Sequence, residues 1–287
     1  MSALHIPYPS TLHLKGSKYL EGSSDKNLQS ILKSHSDNKA VELSHLEKKG
    51  EVIVIEEKMD GIGLGLYFEQ DTIYIQQRGH SFKLDELPWQ MKNISLWINE
   101  HLDELYYLLE EQYVLFGEWL EHKHTVFYDN LPDWFIEYDI YDRASQQFLC
   151  TQARANLLSA KQSSLVSAHV IAQQTHLNIH EALEFLQRPS YAKTSQWQDN
   201  LAGLCQSQHR DFTSILSHTL NDSGMEGLYI KTENTQHITG RYKFIRHAFM
   251  QHLLHESHWK EHELVDNLYQ KHPFWHHLAV NPKPPRV

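Results

Sequence analysis

The sequence predicts an α+β protein whose core is dominated by antiparallel strands. Three observations carry this: short β-rich segments sit toward both ends of the chain, helical periods occupy the stretches between, and no segment repeats.

Taken in order, residues 51–77 read as two strands and a turn. Val52-Ile53-Val54-Ile55 is β-rich, Ile62, Leu64 and Leu66 alternate with glycines, and Glu69-Gln70-Asp71 turns the chain toward Ile73-Tyr74-Ile75. From 87 to 111 the period changes. Ile94, Trp97, Ile98, Leu102, Leu105 and Leu109 recur at three-to-four spacing, so one amphipathic helix is expected. Residues 113–120 and 134–141 return to strand character. Residues 152–220 read as largely helical, with Asn178 and Glu181 offering a capping box to a helix through Leu186. Residues 227–231 and 239–245 are expected strands. The remainder is aromatic, rich in His and helical until Pro282, Pro284 and Pro285 stop it.

The composition bounds the class. The chain has 287 residues, 40% of them hydrophobic and 22% charged, which suits one substantial globular core. No apolar run is long enough to span a bilayer, and the first residues lack the basic-then-apolar order of a signal peptide. Cys150 and Cys205 give neither a disulfide framework nor a zinc quartet, which fits a reducing cytoplasm. A net charge of −10 argues against a broad nucleic-acid surface, but one local basic strip can hold RNA on an acidic protein. The 22 histidines add positive charge as the pH falls toward their pKa.

The sharpest local feature is Glu57-Lys58-Met59-Asp60-Gly61, a lysine between a β-branched run and the glycine-rich Gly61, Gly63 and Gly65. A lysine amine is a nucleophile only when neutral, so burial or nearby cations must lower its pKa. Alone, the segment reads as an exposed lysine in a turn. Its companions downstream change that: Arg78-Gly79, Phe116-Gly117-Glu118-Trp119, Tyr138-Asp139-Ile140, Glu226 to Lys231, and Arg241 to Arg246 follow in order.

In this order the motifs resemble those of the covalent nucleotidyltransferase superfamily of ATP-dependent ligases and capping enzymes, and most nearly the RNA ligase 2-like RNA ligases. The likeness runs from the Tyr8-Pro-Ser-Thr-Leu-His-Leu segment through Phe249; the stretch from Gly117 to Asp133 is especially similar to bacterial members. The resemblance implies an ATP-grasp-like, antiparallel-sheet nucleotidyltransferase core over 1–249, with helical insertions and a short helical, His-rich extension over 250–287. Lys58 matches the lysine that attacks the α-phosphorus of ATP. Glu57 falls among the nucleotide-contacting positions, Arg78 matches an arginine near ribose and phosphates, and Glu118 a glutamate on the ribose hydroxyls. Tyr138 matches the aromatic that stacks on adenine, although its alternation with Ile136 and Ile140 also fits a core aromatic. Glu226 fits a carboxylate near Mg²⁺ or Mn²⁺; Lys231 and Lys243 fit catalytic cations on the α-phosphate that also lower the Lys58 pKa.

The last family motif often reads Lys-x-Lys, whereas Ile245 stands two residues after Lys243 here. The sequence leaves open whether Arg246 takes the second lysine's place, and Arg241 and Arg246 also fit the edge of a strand. His252, His255, His258 and His262 would line one helical face; without a cysteine or a supporting shell they read as solvated or RNA-facing rather than metal-binding.

The implied activity is joining of RNA 3′-hydroxyl and 5′-phosphate ends in RNA repair, through a lysyl-AMP and an adenylylated RNA end, beside an end-healing kinase or phosphatase. Two other readings share the first step: a DNA or polynucleotide ligase, and a capping guanylyltransferase. Both carry an OB-fold after the last motif, and residues 247–287 are too few for a typical OB barrel. A catalytically inactive RNA-binding module is the alternative from another class.

Overall fold

The computed structural model describes residues 5–15, 41–77, 79–87, 92–255 and 263–271. Arg78, His258 and His262 therefore lie outside the described residues, as do the side chain of His255 and the terminal prolines.

Two sheets form the core. The first contains β1 (Leu12–His13), β2 (Val52–Lys58), β10 (Val170–Gln174), β11 (Gly227–Glu233) and β12 (Ile238–Ile245), in the order β1-β12-β11-β2-β10. The second contains β3 (Ile62–Glu69), β4 (Thr72–Gln77), β5 (His80–Lys83), β6 (Tyr113–Trp119), β7 (Phe135–Asp142) and β8 (Gln147–Phe148), in the order β5-β4-β3-β6-β7-β8. A short β9 (Val166–Ser167) joins β7 in parallel, and β1 is parallel to β12; every other pairing of these strands is antiparallel. The expected α+β class holds.

Period-two alternation divides the work of each sheet. In the first, Ile53 and Ile55, Leu228 and Ile230, and Tyr242 and Phe244 share an apolar face, covered by Ala182 and Leu186 of helix α4 (Ile179–Leu186). In the second, Leu64, Leu66 and Phe68 join Leu115 and Trp119 under α1 (Lys92–Glu100) and α2 (Leu102–Leu109). The remaining faces, with Lys58, Glu118 and Tyr138, look into a cleft between the sheets.

The β3–β4 turn places Gln70 and Asp71 at φ of 50° and 57°, the paired left-handed geometry that matches the twist of a two-residue hairpin. The expected helix over 87–111 is two helices. Its six apolar positions all pack in the core, but the chain breaks at His101, whose ring stacks on Trp97 and whose Nδ1 donates to the Trp97 carbonyl at 2.8 Å. The expectation of a largely helical 152–220 is corrected more strongly. Helices α3 (Thr151–Ala160), α4, α5 (Trp197–Ser207) and α6 (Phe212–Ser217) are present, but β9 and β10 interrupt them. As an edge strand only partly buried, β10 shows no clean alternation. The Asn178–Glu181 capping box is formed, with both bonds at 3.0 Å.

After α7 (His247–His255) the helix expected to continue is not found over 263–271, which instead run extended against the loop between β6 and β7, held by bridges at Asp266 and Tyr269. Backbone bonds join Lys123 to Val265 and Leu131 to Leu268, and Val265 and Leu268 pack with Trp197, Leu201 and Leu204. Among the described residues, no helix is long and apolar enough to cross a membrane.

Candidate active site

Lys58 is the last residue of β2, and the β2–β11 register sets Gly227 opposite it. Glu226 therefore arrives beside the lysine, and the Lys58 ammonium donates to Glu226 Oε2 at 2.8 Å. Gly61 comes from the turn into β3, and its N–H donates to Glu118 Oε1 at 3.1 Å. A Cβ on Gly61 would lie 2.5 Å from the Trp119 carbonyl, so only glycine lets the segment that follows Lys58 close on β6. Asp60 anchors the other side: Oδ2 accepts the N–H groups of Thr125 and Val126, both at 2.8 Å, and its own N–H donates to Tyr128 Oη at 2.9 Å.

Lys58, Gly61 and Glu118 open into a cavity of about 920 Å³ between the sheets, lined also by Tyr8, Gly63, Tyr138 and Lys243; Glu226 and Asp60 stand behind its lining. A β-bulge shapes its wall. On β7, Glu137 pairs with Gly117 and Asp139 with Phe116, so Tyr138 is the extra residue and its ring leaves the core pattern for the cavity. Its edge meets Tyr8 at 5.5 Å and Tyr229 at 6.0 Å between ring centroids.

The electrostatics invert one expectation. Burial alone would lower the Lys58 pKa, but Glu226, Glu118 and Asp60 together hold it above the ordinary lysine value, so the amine is protonated here. The carboxylates are displaced in turn. Burial pushes Glu226 up to about 8 and Glu118 up to about 7, Lys58 opposing both shifts. One ammonium faces three acidic side chains, two of which burial makes reluctant to ionise, so a cation bound here would favour their charged forms.

Lys231 lies elsewhere than expected. It is fully buried, ion-paired to Glu56 at 2.9 Å and Asp139 at 3.0 Å, and donates to the Tyr138 carbonyl at 2.6 Å. Arg154 of α3 completes this group, 2.9 Å from Glu56 and 3.6 Å from Glu137, and Arg241 meets Asp139 at 3.0 Å. Three carboxylates and three cations thus join the sheets behind the cavity. Burial would raise the Asp139 pKa, yet Lys231, Arg241 and Arg154 hold it well below the usual carboxylate range. A lysine so committed does not lower the Lys58 pKa, which is why that expectation fails.

Lys243 lines the cavity opposite Tyr229 on β11 and His13 on β1. Glu57 also lines it, but its Oε2 accepts the Tyr191 N–H at 3.1 Å, and burial pushes its pKa up to about 7. Arg246 is absent from the lining and clamps Asp222 instead. Sequence reasoning did not assign Tyr8, His13, Asp60 or His124, of which Tyr8, His13 and His124 line the cavity. The available signals were the Tyr8 to Leu14 segment and the aspartate of Lys58-Met59-Asp60-Gly61.

Two facing antiparallel sheets with a lysine–carboxylate cluster in the cleft make a nucleotidyltransferase-type core. The chain belongs to the RNA ligase family, whose model matches residues 51–245. No curated protein matches it. Solved structures similar to it include a mutant Naegleria gruberi RNA ligase with ATP and Mn, at 17% identity and a TM-score of 0.49, covering 74% of this chain and 54% of that one. Another mutant of that ligase, with AMP and Mn, is 15% identical with a TM-score of 0.48, covering 85% of this chain and 59% of the other. The chain thus spans little more than half the length of the solved structures it matches.

Proposed function

We propose that the chain is an ATP-dependent RNA ligase that seals RNA 3′-hydroxyl and 5′-phosphate ends through an AMP carried on Lys58. The observation that carries this is the contact of Lys58 with Glu226 at the edge of a large cavity that also presents Glu118, Tyr138 and Lys243.

In the first step Lys58 Nζ, having given a proton to Glu226, attacks the α-phosphorus of ATP; a P–N bond forms and pyrophosphate leaves. Burial raises the Glu226 pKa, which makes its carboxylate a stronger base for that transfer. In the second step an RNA 5′-phosphate oxygen attacks the same phosphorus, the P–N bond breaks, and the amine recovers its proton. In the third an RNA 3′-hydroxyl attacks the 5′-phosphate and AMP leaves. Each is an in-line displacement, so the protein contributes mostly position and charge neutralisation. Tyr138 presents a π face to the base, Glu118 a carboxylate to the ribose, and Lys243 a cation to the α-phosphate. Arg78 belongs to this set by its motif alone.

The three acidic side chains around Lys58 fit a divalent cation, Mg²⁺ or Mn²⁺, with Glu226 as the residue to hold it. Such an ion supplies phosphate charge neutralisation and favours the neutral amine. The proposed setting is RNA repair in the cytoplasm, beside an enzyme that leaves 5′-phosphate and 3′-hydroxyl ends.

The test is sealing of matched nicked, looped and single-stranded RNAs in the presence of ATP. Joined product together with a transient adenylylated 5′ end is expected. Equal sealing of nicks ending in 3′-ribose and 3′-deoxyribose would reduce the proposal to a polynucleotide ligase. Equal protein labelling by GTP and ATP would favour a capping enzyme.

A further inference from the structure

Arg246 follows β12, turned away from the cavity, yet it touches the segment that delivers Glu226 at several points. Its backbone N–H donates to the Glu226 carbonyl at 3.0 Å, and its Nε donates to the Met225 carbonyl at 2.8 Å. The two peptide units flanking the Glu226 Cα are therefore both held by one residue. Its Nη1 and Nη2 form a bidentate pair with Asp222 at 2.7 and 2.8 Å, which fixes the plane of the guanidinium.

The segment is built around that clamp. The Gly224 N–H donates to Asp222 Oδ1 at 2.8 Å, and a Cβ at Gly224 would fall 2.5 Å from the Arg246 guanidinium carbon. Lys193 donates to the Asp222 carbonyl at 2.6 Å, and the Ser190 N–H to the Ser223 carbonyl at 2.9 Å, so the turn is also fastened from outside. A lysine in place of Arg246 has the charge but not the three-point fork.

We infer that Arg246 and Asp222 are positioning residues that act through Glu226: together they set the angle at which its carboxylate meets Lys58, rather than binding a phosphate. This rests on the proposed lysyl-AMP chemistry. It also answers what the missing second lysine left open, since Arg246 replaces no phosphate contact.

The test measures single-turnover transfer of AMP from labelled ATP to the full chain, across ATP concentrations, for Arg246→Lys, Asp222→Asn, the double variant and Gly224→Ala, with Lys58→Ala alongside. A misplacement of about 1 Å in a displacement reaction can cost about 10² in rate, so Arg246→Lys and Asp222→Asn should each slow transfer roughly 10- to 100-fold. The half-saturating ATP concentration should stay within about twofold, and the double variant should be no slower than the worse single one. Gly224→Ala, which keeps both charged groups and pushes on the fork, should lose rate in the same way. Asp222→Asn at the wild-type rate, or a rise in half-saturating ATP as the main effect of Arg246→Lys, overturns the inference while a silent Lys58→Ala leaves the lysyl-AMP reading standing. Labelled Lys58→Ala overturns both.

Discussion

Replacing Lys231 with methionine removes one cation from a buried group that balances three with three. Lys231 is fully buried, touches Glu56 and Asp139 at 2.9 and 3.0 Å, and holds the Tyr138 carbonyl at 2.6 Å. Methionine fills similar volume, so the cavity left is small and the cost is electrostatic: Glu56, Glu137 and Asp139 then face only Arg154 and Arg241. Breaking a buried pair by removing one partner costs about 3–5 kcal/mol. For a domain of this size that lowers Tm by roughly 6–20 °C, at about 2–4 °C per kcal/mol. The dependence on pH has a definite sign. Asp139 has a folded pKa below its ordinary 3.8, so its contribution is present above 3.8 and lost as the pH falls toward the folded value. The gap between wild type and Lys231→Met should therefore be widest near neutral pH and narrow below about pH 4. Thermal unfolding at pH 7 and at about pH 2.5 measures both. An unchanged Tm at pH 7, with AMP transfer lost, would refute the network and return Lys231 to the α-phosphate.

Glu57→Gln addresses a buried carboxyl that has no cation among the described residues to offset its burial. Its folded pKa of about 7 lies above the ordinary 4.5, so wild-type stability should fall as pH rises from 4.5 to 7, by at most about 3 kcal/mol. The glutamine variant should lack that fall and unfold at higher temperature than wild type at pH 8; identical curves would contradict the buried placement. Tyr138→Phe should leave the half-saturating ATP concentration nearly unchanged, while Tyr138→Ala should raise it roughly 5- to 150-fold if stacking contributes ~1–3 kcal/mol. An unaffected Tyr138→Ala would mark the residue as packing only.

Much of this fold was legible because alternation and period are local properties of the chain. The apolar faces of β2, β3, β11 and β12, the helical positions from Ile94 to Leu109 and the Asn178 cap all follow from neighbours in sequence. What failed depended on distant partners. β10 is a strand because β2 offers it an edge, and nothing within Val170–Gln174 announces that. The site divides in the same way. The motifs marked Lys58, Glu118, Tyr138, Glu226 and Lys243, and all five meet one cavity or its edge. No motif records that Lys231 shares buried carboxylates with Arg154, 77 positions earlier, or that Arg246 fastens the turn before β11. The charge of a residue is written in the sequence, whereas its counter-charge is decided by packing. For the same reason the protonated state of Lys58 was not foreseen: its three carboxylates come from three segments.

The most direct measurement is the mapping of AMP on the protein. The full chain is incubated with ATP labelled at the α-phosphate and a divalent cation, denatured, digested and analysed by mass spectrometry, with Lys58→Ala and Lys58→Arg in parallel. One adduct, on the peptide containing Lys58 and absent from both variants, is predicted, because a guanidinium stays protonated and is a poor nucleophile. Label on another residue, or equal label on either variant, would contradict the assignment of Lys58 as the nucleophile.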